Sequence, residues 1–136
     1  MSIQPVTTTQ NLTADQSWLD SLHGTDSVDT ITLDMSTLAS GTHYKPSTDT
    51  SNPYSRVLSG IPVGKITASG LYGLYKTDAT DGREKLAGFV FAEVLFAPGQ
   101  TKVPAALLWH GSVRTAKLPV AVVPVAPSAT CQIRFV

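Results

Sequence analysis

The chain has 136 residues, ten acidic and ten basic side chains, only 15% charged residues, and 30 serines and threonines. That length supports one domain with an appendage, and a formal net charge of zero argues against a protein that coats nucleic-acid phosphates or an anionic membrane. The single cysteine, Cys131, allows no intrachain disulfide, and no apolar run approaches the roughly 20 residues that cross a bilayer. With no basic stretch ahead of an apolar one at the N-terminus, the expectation is a soluble chain made in a reducing compartment without a secretion leader.

Charge is uneven along the chain. Residues 1–56 carry six Asp against Lys45 and Arg56, a balance of −4, and residues 57–136 carry eight basic against four acidic groups, a balance of +4. The expected organisation is therefore an extended N-terminal arm and connector over 1–56 and a β-rich domain over 57–136. Residues 1–14 are polar and β-branched without periodicity and should be extended. Asp15 reads as an N-cap before a short helix that places Trp18, Leu19 and Leu22 on one face, with Gly24 as its stop. Such a helix is too short to persist unless Trp18 docks on something. From Thr30 the chain alternates, with Ile31, Leu33 and Met35 on one side, the pattern of a half-buried strand. A connector rich in Gly, Pro and hydroxyls follows to residue 56.

Beyond it, IPVGKI (61–66), LYGLY (71–75), LAGFVFAEVLF (86–96), VPAALLWH (103–110), VAVVPV (120–125) and CQIRFV (131–136) are punctuated at the spacing of short antiparallel strands. The expected fold is mainly β, a small barrel or sandwich-like domain preceded by an arm containing one short helix. Residues 86–96, apolar on both faces except at Glu93, predict a central strand. Pro119 and Pro124 cannot donate to a ladder, so 119–125 belongs at an edge or a subunit boundary, with Val120, Val122 and Pro124 as candidate contacts between copies.

Chemical motifs are weak. Gly60 and Gly64 precede Lys65, but three residues separate the glycines where a phosphate loop has four, Ile66 stands where that loop needs Ser or Thr, and Pro62 removes an amide. Asp78, Asp81 and Glu84 surround an Asp81-Gly82 turn that a hairpin explains without calcium. His23, His43 and His110 fit no zinc spacing with Cys131. Ser112 lies near His110 without an orienting acid or a nucleophile elbow. No enzyme and no cofactor is expected. Tyr72, Tyr75 and Trp109 could stack a sugar, although such aromatics equally serve a core or an interface.

Taken together, Gly60 to Thr67, Ser69-Gly70-Leu71-Tyr72, Thr80-Asp81-Gly82, Leu86 to Val90, Ala105 to Leu108, His110 to Val113 and Leu118-Pro119 resemble, in order and spacing, the head decoration protein family of tailed bacteriophages, the lambda decoration protein-like family. Ile31 to Asp34 and Ser40 to Tyr44 look like the N-terminal extension of its members from actinobacterial phages. The resemblance implies a capsid cement without catalytic residues or cofactor. In that reading a homotrimer binds the major capsid protein at three-fold and quasi-three-fold positions on the outer face of the virion capsid, after synthesis in the host bacterial cytoplasm. It also implies that the arm meets the capsid. Val6, Thr7, Thr8 and Thr9 have the composition to add a strand, and Trp18, Leu19 and Leu22 would be the apolar anchor. The stretch of 56 residues before the core is longer than in the lambda protein. The competing expectation is a surface recognition module for a host glycan or protein. Neither reading involves direct contact with nucleic acid or membrane.

Overall fold

The computed structural model describes residues 16–26, 28–46, 54–128 and 131–136. Val6, Thr7, Thr8 and Thr9, and the cap expected at Asp15, lie outside the described residues. The fold is mainly β. Its centre is a five-stranded closed barrel in the order β1 (Asp29–Asp34), β5 (Tyr72–Leu74), β4 (Pro62–Lys65), β6 (Gly88–Val90) and β8 (Lys102–Leu108), with β8 returning to β1. The β1–β8 seam is antiparallel and holds six residue pairs, from Asp29 opposite Leu107 to Asp34 opposite Lys102. The β1–β5 contact is parallel, at Leu33 and Tyr72.

Directly opposed residues share a face, so the pairing register defines an inward row. Ile31 and Leu33 face Ala105 and Val103, Val63 faces Leu74, and Val90 faces Leu107. These form one apolar cluster, which Met35, Leu38, Val57, Ile61 and Phe96 extend at one end of the barrel. That end is covered by a 3-10 turn at Met35–Thr37 and by a three-stranded sheet, β2 (Tyr44–Lys45), β3 (Ser55–Val57) and β7 (Val94–Phe96). Thr37 ties the turn to the barrel, its Oγ1 accepting from the Leu74 amide at 3.0 Å.

A second cluster lies on the outer face of β6 and β8. Phe89 and Leu108 pack there with Leu86, Val113, Cys131, Ile133 and Trp18. Its far side is the parallel pair β9 (His110–Val113) and β10 (Gln132–Phe135). Each fully buried side chain of this size contributes about 1.5–3 kcal/mol from leaving water.

Four expectations change. Among the described residues there is no α-helix, and Gln16 to Asp26 form turns instead of the short helix. The reason is competition for the backbone: the Trp18 carbonyl accepts from Arg114 N at 2.6 Å, and Asp20 N donates to the Ser112 carbonyl at 3.1 Å, so this stretch bonds to β9 rather than to itself. Residues 86–96 form two short strands in different sheets: β6 keeps its register with β8 as far as the Phe91 N to Ala106 carbonyl bond at 2.9 Å, and β7 then pairs with β3, where Glu93 meets Arg56. The Asp81-Gly82 turn joins no hairpin, since β4 lies between β5 and β6. Residues 119–128 form no strand; with prolines at 119, 124 and 127 the segment cannot sustain a ladder. Within the expected arm and connector, β1 is a strand of the barrel and β2 and part of β3 belong to the three-stranded sheet.

Candidate functional site

Two surfaces carry the sequence candidates. The first is built by the 119–128 segment over β9 and β10. Val120 packs on the barrel cluster, and Val122 and Val125 pack on the second cluster. Val123, in contrast, is 75% exposed, and Pro124 is exposed beside it. Pro124, Val125 and Pro127 form one wall of a groove of about 550 Å³ whose other wall includes His110, Gln132 and Phe135. Of the expected contacts between copies, Val120 and Val122 therefore face largely into their own domain, and Pro124 faces out.

The three expected anchors separate in the same way. Trp18 is 1% exposed, packs on Phe89 at a ring-centroid distance of 5.8 Å, and donates its indole N–H to Ser59 Oγ at 3.0 Å. Its side chain is thus a core element of the domain, a correction to its expected place on a presented helix face. Leu19 forms an isolated antiparallel bridge with Val113 and is partly buried, whereas Leu22 is 79% exposed. Gly24 makes this docking feasible: at φ +83° it lies so close to β9 that a Cβ would collide with the His110 carbonyl oxygen. Arg114 Nε reaches the Asp20 carboxylate at 3.3 Å across the same junction.

The second surface is the open end of the barrel. Each of the five strands brings one of its ends to it. Asp29 opens β1, Tyr72 opens β5, Lys65 ends β4, Ala87 precedes β6, and Leu107 and Trp109 flank the last residue of β8; together they line a cavity of about 540 Å³. One wall is the loop between β5 and β6. It is held by the Arg83 Nε to Asp81 carboxylate pair at 3.0 Å, by Gly82 N donating to Glu84 Oε2 at 2.8 Å, and by Thr67 N donating to the Asp81 carbonyl at 2.9 Å. Gly64 lets this loop lie directly on β4, since a Cβ there would stand 2.7 Å from Arg83 Cα. The backbone hydrogen bond from Arg83, followed by its side chain, holds the Asp81 carboxyl below its ordinary range. Trp109 is braced from behind by His110, stacked at 5.5 Å, and His110 meets His23 edge-on at 4.8 Å.

The structure therefore brings Tyr72 and Trp109 to one cavity and sends Tyr75 to the second cluster. Asp29 and Lys85 escaped the sequence reading, and Lys65 and Glu84 entered it only in the rejected phosphate-loop and calcium-loop readings. The available signal was the alternation of β1 and β4 itself, which puts Asp29 in the row of Ile31 and Leu33 and puts Lys65 in that of Val63. The Gly60–Lys65 segment is a turn, with Gly60 at φ +91°, entering a strand. Among the described residues no three His, Cys, Asp or Glu side chains gather in a group suited to a metal. Cys131 is a buried free thiol, and desolvation pushes its pKa up. Comparison of the chain with protein-family models, with curated proteins and with solved structures finds no match.

Proposed function

We propose that this chain is a capsid decoration protein of a tailed bacteriophage, binding the outer surface of the head as a homotrimer at three-fold and quasi-three-fold sites and stabilising it through contacts with the major capsid protein. The observation that carries the reading is the 119–128 segment. It is anchored at Val120, Val122 and Val125, free of ladder pairing, and presents Val123 at 75% exposure beside Pro124. A small barrel spending valines and prolines on such a surface is suited to association through shape and apolar contact, without net charge.

Support also comes from two glycines of the motif series that sit at close crossings of the fold. A Cβ at Gly60 would meet the Trp18 ring at 2.9 Å, and one at Gly111 would meet the His23 carbonyl at 2.7 Å.

The test adds purified chain to phage heads lacking decoration and measures saturation and heat resistance. Saturating binding with a higher temperature of head rupture is expected, together with a solution mass about three times the 14.4 kDa of one chain. A monomer that neither binds heads nor protects them would overturn the reading.

A further inference from the structure

We infer that the open end of the barrel is a saccharide-binding cup that takes the terminal unit of a neutral pyranose sugar, a site independent of the assembly surface and of the capsid reading. Its shape is the first argument. The inward rows that fill the barrel are aliphatic below, at Ile31, Val63 and Ala105, and at the open end combine aromatic with charged side chains, at Tyr72, Trp109, Asp29 and Lys65. The opposite end is sealed by Met35, Leu38 and Phe96. The cup is therefore blind, and it accepts the end of a ligand rather than a chain running through. Its volume of about 540 Å³ is that of a small-molecule site.

The chemistry of the lining is the second argument. A pyranose presents a face of C–H bonds and a rim of hydroxyl groups. Tyr72 and Trp109 supply aromatic surface for the face, and the stacking of Trp109 on His110 fixes its indole before any ligand arrives. For the rim, the Asp29 and Glu84 carboxylates accept hydrogen bonds, the Lys65 and Lys85 ammonium groups donate, the Thr80 hydroxyl does both, and Thr67 Oγ1, which itself donates to the Asp81 carbonyl, accepts. Among the described residues none of these four charged groups forms an ion pair with another, and of the Glu84 carboxylate Oε2 already accepts from Gly82 N, which leaves Oε1 to a ligand.

Two positive and two negative groups select against a strongly charged guest: an anion would meet the carboxylates, and a cation the ammonium groups. A wholly apolar guest would strip water from all four without replacing its hydrogen bonds. A neutral polyol with one apolar face satisfies both halves of the lining. The wall that carries Glu84 and Lys85 is tied down by its own hydrogen bonds at Asp81, Gly82 and Thr67, so little ordering cost falls on binding.

The experiment records amide spectra of the full-length chain during titration with the methyl pyranosides of glucose, galactose, mannose, rhamnose and N-acetylglucosamine. The expected result is saturable shifts confined to Tyr72, Leu107, Trp109 and the ends of β1 and β4, for at least one sugar. Asp29→Ala and Tyr72→Ala should each weaken that binding about tenfold or more, while Arg134→Ala, in the groove beside β10, leaves it unchanged. Tyr72→Phe, which keeps the ring and the fold, should retain most of the affinity. A second arm offers bacterial surface polysaccharide on beads. Capture that the free methyl glycoside competes away identifies a polysaccharide terminus as the source, and binding of the glycoside alone identifies free sugar; both support the cup. Absence of shifts with every glycoside, shifts located elsewhere, or unaltered binding by the Asp29→Ala and Tyr72→Ala proteins with native-like spectra would overturn it. So would preferential binding at the mouth of a sialoside or a charged peptide.

Discussion

The indole N–H of Trp18 donates to Ser59 Oγ at 3.0 Å, and the same hydroxyl donates onward to the Phe91 carbonyl at 2.8 Å, so a residue near the N-terminus closes a hydrogen-bonded chain inside the domain. Trp18→Ala should therefore destabilise the free protein by about 3–5 kcal/mol, the usual cost of emptying a buried aromatic site. Trp18→Phe should cost less, since it keeps an aromatic ring packed on Phe89 and so leaves a smaller cavity. Urea unfolding followed by circular dichroism measures both, and an unchanged midpoint for Trp18→Ala would show that the ring is not part of the core.

Truncation should divide at the same residue. Deleting residues 2–15 removes none of the described contacts, whereas deleting 2–24 also takes away Trp18, the Leu19 bridge and the Asp20 link to Arg114. The expected thermal scans show a clearly lower transition for the longer deletion than for the shorter. Loss of head binding can then be assigned to residues 2–15 only in the shorter deletion, where the fold persists.

Stability should fall with acid in a window set by His43. Its Nδ1 accepts from the Ala39 amide at 2.8 Å, and burial holds its pKa below the ordinary 6.5. The unfolded chain therefore takes up a proton at a higher pH than the folded one. The stabilisation is complete above 6.5 and is lost as the pH falls through the folded value. His43→Gln should flatten this part of the stability curve, measured as urea midpoints between neutral and mildly acidic pH. A wild-type midpoint insensitive to pH across that range would count against it.

Cys131 should react slowly with a thiol reagent. It is buried within the second cluster, and its thiolate is disfavoured by desolvation. Labelling in native buffer should be at least about a hundredfold slower than in urea, the factor produced by an opening cost of about 2.8 kcal/mol. Equal rates would place the thiol at the surface.

Val123→Asp should weaken self-association while leaving the melting temperature of the monomer nearly unchanged, because the side chain it replaces is 75% exposed. Sedimentation at several concentrations gives the change in mass; an unaltered association constant would move the contact surface elsewhere.

The β character was legible because short apolar alternations between glycines and prolines admit few other structures, and β1, β4, β5, β8 and β10 fall where those alternations predict them. What was illegible was long-range competition for backbone groups. Nothing near Trp18 announces that its carbonyl will be taken by Arg114, and nothing in 86–96 announces that the strand will break so that each half joins a different sheet. The cavity was half legible: Tyr72 and Trp109 stood out as aromatics, but their meeting depends on barrel closure, and the charges around them read locally as solvated strand ends.

The six-pair seam between β1 and β8 also sets a timetable. As the chain leaves the ribosome, Asp29–Asp34 has no antiparallel partner until Lys102–Leu108 has been made, so closure waits for most of the polypeptide. Contacts so distant in sequence place folding toward the millisecond-to-second range of β-rich domains. Until then β1 is an unpaired edge whose Thr30, Thr32 and Asp34 alternate with its apolar residues, a polar spacing that limits premature pairing between nascent chains.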